Sequence, residues 1–168
     1  MRAFRTGLVL VFVSLSHFAF AQQPATAPNP AASRTMVSAA DVQAMIANAK
    51  NTRKPDQALL AQSMIQLAPY NVSLEYRAAV ANAAVHETEA ELFYVIDGSA
   101  TLVTGGKLTK ENRTNAATLT GAGIEGGTPR RVAKGDFIMV PEGVPHWFSA
   151  IDGTIVLMSL HLPHAPQK

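Results

Sequence analysis

AVHETEAELFYVIDG, residues 84–98, sets an imidazole and three carboxylates directly ahead of an apolar run. His86 is followed by Glu87, Glu89 and Glu91, then by five apolar residues from Leu92 to Ile96, then by Asp97-Gly98, a dipeptide that favours a hairpin turn. Side chains alternate across a strand, so Glu91, Phe93 and Val95 share one face while Leu92, Tyr94 and Ile96 share the other. Glu91 therefore stands on a hydrophobic face, where a carboxylate is costly unless it meets a base or a metal ion. Two readings follow: an ion pair with Arg77 or another base at the mouth of the fold, or a metal ligand.

The same alternation extends outward in both directions. From Tyr70 to Arg77, apolar Val72, Leu74 and Tyr76 alternate with Asn71, Ser73, Glu75 and Arg77, the pattern of a half-buried strand. Further short strands are expected at 91–96, 99–104, 137–140, 147–151 and 154–161, with Val132 in another. Turns are expected at Asp97-Gly98, Gly105-Gly106, Gly135-Asp136 and Asp152-Gly153. Many short strands punctuated in this way suggest an all-β sandwich or barrel. Residues 107–128 are polar and glycine-rich and exceed the usual length of a connection. They read as a lid over a pocket or as an exposed loop, with Leu119 and Ile124 able to add an edge strand.

Upstream of Pro69 the period is helical. Ser38 stands as an N-cap with Asp41 three residues on, and Val42, Met45, Ile46 and Ala49 follow at helical spacing, predicting a helix over about 39–50. Leu60, Met64 and Leu67 predict a second helix from Asp56 that stops before Pro69. Residues 22–37, with three prolines and many small residues, read as a linker. Residues 1–21 read as a signal peptide: Arg2 and Arg5, an apolar run, then Ala19-Phe20-Ala21 as the cleavage site. The uninterrupted apolar run is shorter than the roughly 20 residues of a spanning helix. The expected organisation is thus signal peptide 1–21, linker 22–37, helical extension 38–68 and β domain 69–163.

The whole 168-residue chain has a pI near 9.1, a value that invites a nucleic-acid or acidic-surface reading. Of its 14 basic residues Arg2 and Arg5 leave with the signal peptide, and the remaining 12 balance 12 acidic ones. A nucleic-acid partner therefore loses its support, and no membrane association is expected after cleavage. The chain has no cysteine, so export to an oxidising compartment brings no disulfide framework. A bacterial periplasmic or secreted location is expected.

A second constellation lies at residues 135–150, GDFIMVPEGVPHWFSA. Pro141 and Gly143 frame a turn, Pro145 biases Val144 towards extension, and His146 enters a strand on the same face as Phe148. Two histidines and a carboxylate converging in one fold suit Fe, Mn, Ni or Zn and leave open positions for a ligand.

These residues carry a resemblance to the cupins. The first cupin motif has two histidines one residue apart, then a glutamate, then a glycine seven positions on; His86, Glu91 and Gly98 match its later positions, and Ala84 stands where the first histidine belongs. The second motif is matched by Gly135, Pro141, Gly143 and His146, with Ala150 in place of its final asparagine. The resemblance spans roughly 70–162. It implies a small double-stranded β-helix, or jelly-roll, barrel preceded by the pair of short helices, and a tendency to form homodimers. It also implies a divalent metal on His86, Glu91 and His146, either as a three-ligand variant or as a site that has lost its metal.

Further expected pocket residues are Tyr76, as a hydrogen-bond donor, Glu89, Phe93, Phe148 and His161. Two functions follow as expectations: a metal-dependent oxygenase or isomerase acting on a small molecule, and a non-catalytic binder of a small ligand or metal. A dimer paired through Leu92, Tyr94 and Ile96 is compatible with both.

Overall fold

The computed structural model describes residues 34–164. The signal peptide and most of the linker expected from the sequence lie outside the described residues. One helix and eleven strands follow in the order α1 (Ala39–Thr52), β1 (Leu59–Leu67), β2 (Tyr70–Arg77), β3 (Ala83–His86), β4 (Glu89–Thr104), β5 (Lys107–Thr109), β6 (Asn112–Arg113), β7 (Thr118–Gly121), β8 (Gly123–Glu125), β9 (Thr128–Ala133), β10 (Phe137–Val140) and β11 (His146–Pro163). The fold is all-β apart from α1. Among the described residues no helix is long and apolar enough to cross a membrane.

Helix α1 begins where the sequence places it. The Ser38 hydroxyl accepts from the Asp41 amide at 3.1 Å, and the Asp41 carboxylate accepts from the Ser38 amide at 3.0 Å, so the box satisfies two otherwise unpaired donors. The second expected helix is instead strand β1, paired antiparallel to β2 from Leu59 opposite Arg77 to Leu67 opposite Tyr70. Leu60 and Met64 are four residues apart, a spacing that puts both on one face of either a helix or a strand. The partner strand decides between them, and Pro69 sits in the hairpin turn between β1 and β2 instead of ending a helix.

The hairpin expected at Asp97-Gly98 is also absent, and the turn expected at Asp152-Gly153 is taken up in a bulge. β4 and β11 run through these dipeptides as two long antiparallel strands, paired from His146 opposite Thr104 to Pro163 opposite Glu89. The register jumps where Ile151 faces Ala100 and Ile155 faces Gly98, so β11 carries extra residues there as a bulge. Gly98 makes the bend possible, with φ +81° and with no space for a Cβ against the Thr154 carbonyl. β4 also pairs with β9 and β10, and β11 with β2 and β3. Among the described residues these pairings do not by themselves trace a closed ring.

Each face of this sheet carries a core. One carries an inner core around Phe93, Val95, Leu102, Phe148, Ile155 and Leu157. The other receives α1: Ala49, with Val42, Met45 and Ile46 beside it, packs over Val72, Leu74, Tyr76 and Val156. Full burial of a side chain such as Phe93 contributes on the order of 1.5–3 kcal/mol, so two cores compensate for the absence of disulfides. The apolar face of β2 therefore looks outward to the helix, and Glu75 and Arg77 look inward, the reverse of a strand with a solvated polar face.

Residues 107–128 form four short strands. β5 pairs with β8, β6 with β7, and β7 with β3, placing Thr120 opposite Ala84 and Thr118 opposite His86. The segment is not a bare loop: Leu119 and Ile124 lie in short strands, as the edge-strand alternative expected, and β7 contributes a wall to the cavity described next.

Candidate metal centre

Three elements bring the site together. His86 ends β3, Glu91 lies near the start of β4 and His146 opens β11. The Gly143 amide, at the turn before His146, donates to the His86 carbonyl at 2.8 Å, tying the two distant sequence stretches together. One donor atom of each side chain lies within 4.8 Å of those of the other two.

Glu91 is the centre of the arrangement and is almost wholly enclosed. Its Oε1 accepts a hydrogen bond from the Ser159 hydroxyl at 2.6 Å and has His161 Nε2 at 3.4 Å. Its Oε2 lies 3.1 Å from His146 Nε2 and 3.3 Å from His86 Nε2. Neither approach has hydrogen-bond alignment, and Oε2 is a buried oxygen without a partner. A buried unpartnered carboxylate oxygen costs several kcal/mol unless something else satisfies it. Two donors each about 2.1 Å from one ion stand roughly 3.0–3.4 Å apart at angles of 90–109°, the range these distances occupy. The two-imidazole, one-carboxylate set fits a divalent transition ion, and with no sulfur donor it does not favour a soft one.

Burial works to raise the pKa of Glu91. The imidazoles of His146, His161 and His86 more than offset it and hold the carboxyl well below the usual carboxylate range. His161, whose pKa is raised first by its contact with Glu91, also meets Glu89 through Nδ1 at 3.0 Å. Its ring stands edge-on to that of His86, with centroids 4.5 Å apart. His161 is not in the cluster of His86, Glu91 and His146; with His86 and Glu89 it forms a second, more exposed group whose donor atoms lie within 4.8 Å of one another.

A cavity of about 610 Å³ opens onto this cluster, and Ala84, His86, Glu91, His146 and His161 are in its wall. Of the other expected pocket residues, Glu89 lies behind His161. Phe93 and Phe148 are enclosed in the inner core, with the Phe93 ring 5.9 Å from that of His146, and support the site from beneath. Tyr76 is misplaced by the sequence reading: it belongs to the core under α1, on the opposite face of β2. Arg77 pairs with Glu75, not with Glu91.

The sequence reading missed Glu75, Arg77, Thr118 and Thr120 as cavity residues. The only available signal was strand alternation, which shows that Glu75 and Arg77 share a face but not that the face turns inward. Ser159 was legible only as a face-mate of His161. Its hydroxyl fixes which carboxylate oxygen is left over, so Ser159→Ala should weaken divalent-metal affinity by about 10–100-fold with little change in fold. Metal titration against a competing chelator measures this, and unchanged affinity would show that Glu91 needs no such support.

The cupin family model matches residues 48–167, beginning inside α1 and taking in β1 as well as the β domain expected from the sequence. Similar solved structures include a mannose-6-phosphate isomerase homologue from Ralstonia eutropha JMP134, at 16% identity and TM-score 0.46 over 66% of this chain and 87% of that one. KdgF from Halomonas sp. is similar at 15% identity and TM-score 0.48, over 68% and 86% of the two chains. FeII HppE is similar at 15% identity and TM-score 0.48, over 66% of this chain and 54% of that one. A search of curated proteins finds no match. The family match over most of the described residues, together with the paired motifs and the all-β architecture that joins them, establishes that this chain belongs to the cupin family.

Proposed function

We propose that this cupin is an exported protein that holds one divalent ion, Fe, Mn, Ni or Zn, on His86, Glu91 and His146 and presents it to a small oxygenated molecule in the adjoining cavity. The observation that carries this reading is Glu91 Oε2, buried without a partner between two imidazole nitrogens. Bound there, the ion would supply Lewis-acid chemistry suited to oxidation or isomerisation of the ligand. The chain's own contribution is to exclude bulk water from the Glu91 side, to orient the carboxylate through Ser159 and to leave the cavity side open.

Metal analysis of the mature chain, purified without a histidine tag and reconstituted, should give close to one ion per chain. Stability should rise by about 2.7 kcal/mol when free metal reaches 100 times its dissociation constant, read as a thermal shift reversed by chelator. A chain that takes up no stoichiometric metal would end this reading.

A second reading, metal-dependent binding without turnover, is supported by the pairing of the nearby acids. Glu75 is engaged by Arg77 and Glu89 by His161, and Glu91 would be taken up by the ion, so none stands as a free general base. Sustained product formation that depends on His86 would decide for catalysis. Export rests on Arg2, Arg5, the apolar run and Ala19-Phe20-Ala21. For the homodimer, the supporting feature is one sheet face on which exposed Phe137 and Met139 stand opposite Tyr94 and Leu92.

A further inference from the structure

The cavity holds a second polar feature that the metal cluster does not use. Glu75 and Arg77 lie on the inward face of β2 and are both buried, side by side in the cavity wall. Arg77 Nε donates to Glu75 Oε2 at 2.9 Å, and Nη2 lies 2.7 Å from the same oxygen. The guanidinium is stacked over the Phe148 ring at 4.6 Å from its centroid, which fixes its plane.

This fork leaves Arg77 Nη1 and Glu75 Oε1 without a protein partner among the described residues. Among those residues the only fully enclosed side-chain nitrogen or oxygen without a partner is Glu91 Oε2. Nη1 and Oε1 therefore retain accessible surface, and the pair that bears them lines the cavity. A buried ion pair is a poor stabiliser compared with apolar residues of similar size, so fold stability alone does not account for it. The pair instead offers a ligand one donor, Nη1, and one acceptor, Oε1, on different edges of the ion pair.

Charge selects between candidate groups at these two places in the cavity wall. The Glu75–Arg77 pair is neutral, and a ligand carboxylate there would set two carboxylates against one guanidinium. Hydroxyls suit it: one can accept from Nη1 and another can donate to Oε1. At the metal cluster, a divalent ion compensated only by Glu91 would leave one positive charge, which suits a single anionic oxygen donor. Glu89 is already engaged by His161.

We propose that the cavity takes a hydroxylated monocarboxylic acid, with its carboxylate towards His86, Glu91 and His146 and its hydroxyls on the Glu75–Arg77 pair. The proposal rests on the metal reading above and adds the substrate class and the residues that select it. It requires no chemical step.

The test is calorimetric binding to the metal-loaded full chain, with metal content measured first on each sample. D-gluconate is the probe, and hexanoate, D-glucitol and D-glucarate remove the hydroxyls, remove the carboxylate or add a second one. Gluconate should bind at least tenfold tighter than each of the other three. In the double variant Glu75→Met with Arg77→Met, metal content should be unchanged and gluconate should bind no better than hexanoate. Replacing both partners avoids stranding a buried charge, so the fold should hold. If it does not, Glu75→Gln keeps the shape and should lower gluconate affinity at least fivefold without affecting hexanoate. Wild-type protein that holds metal but does not prefer gluconate, or a variant that keeps the preference, overturns the proposal and leaves the metal reading standing. Wild-type protein without metal overturns both.

Discussion

Glu91→Gln should abolish stoichiometric metal binding and leave a folded protein. Gln has the same shape, so the core beneath the site keeps its packing, but its amide oxygen is a neutral and weaker ligand than the carboxylate. The change removes the one anionic donor among His86, Glu91 and His146, and it turns an amide group towards two imidazole nitrogens now 3.1 and 3.3 Å from Oε2. Removing a partner that only orients a ligand costs about 10–100-fold in metal affinity, so removing the ligand itself should cost at least 100-fold. The measurement pairs metal content per chain with chelator competition, and circular dichroism reports the fold. A folded Glu91→Gln protein that retains one ion at wild-type affinity would move the metal away from this cluster.

The largest expected effect on stability is at Gly98. This residue has φ +81°, and a Cβ there would overlap the Thr154 carbonyl oxygen and stand 3.0 Å from the Ile155 Cα. Gly98→Ala therefore combines a left-handed conformation, about 1–2 kcal/mol, with overpacking against backbone, about 1–3 kcal/mol. The obstacle is main chain in the longest strand pair of the fold, which cannot rotate aside as a side chain would. A total of roughly 2–5 kcal/mol corresponds to a fall in melting temperature of about 8–20 °C at roughly 4 °C per kcal/mol. Thermal unfolding of Gly98→Ala beside Gly135→Ala makes the comparison specific: Gly135 also has positive φ but has nothing within 4 Å of a Cβ, so its loss should be limited to the conformational part. Equal losses at both positions would mean that Thr154 does not press on Gly98. An indifferent Gly98 would mean that β4 and β11 do not approach as closely as described.

Sequence alone was sufficient wherever a pattern is local. The capping box of Ser38 and Asp41 needs only neighbouring residues, and α1 starts where they place it. The intervals from His86 to Glu91 to Gly98, and from Gly135 to His146, are likewise fixed along the chain; they carried the family resemblance and the three side chains that the fold gathers around one point. The alternation in β2 was also legible, and with it the fact that Glu75 and Arg77 share a face.

Tertiary structure decided what depends on a partner distant in sequence. Residues 59–67 carry spacings compatible with helix or strand, and only the hydrogen bonds offered by β2 make them β1. Asp97-Gly98 reads as a hairpin because turn residues report a bend and not its size; the pairing of β4 with β11 makes it a bend within a continuous strand, opposite the bulge on β11. Which face of β2 looks inward was set by α1, whose apolar stripe takes Val72, Leu74 and Tyr76 and so turns Glu75 and Arg77 into the cavity. The same distinction applies to residues 84–98. Their order marks Glu91 as a carboxylate on an apolar face, but its surroundings come from β3 and β11: His86, His146, Ser159 and His161 are set around it by strand pairing, which leaves one of its oxygens buried and unpartnered.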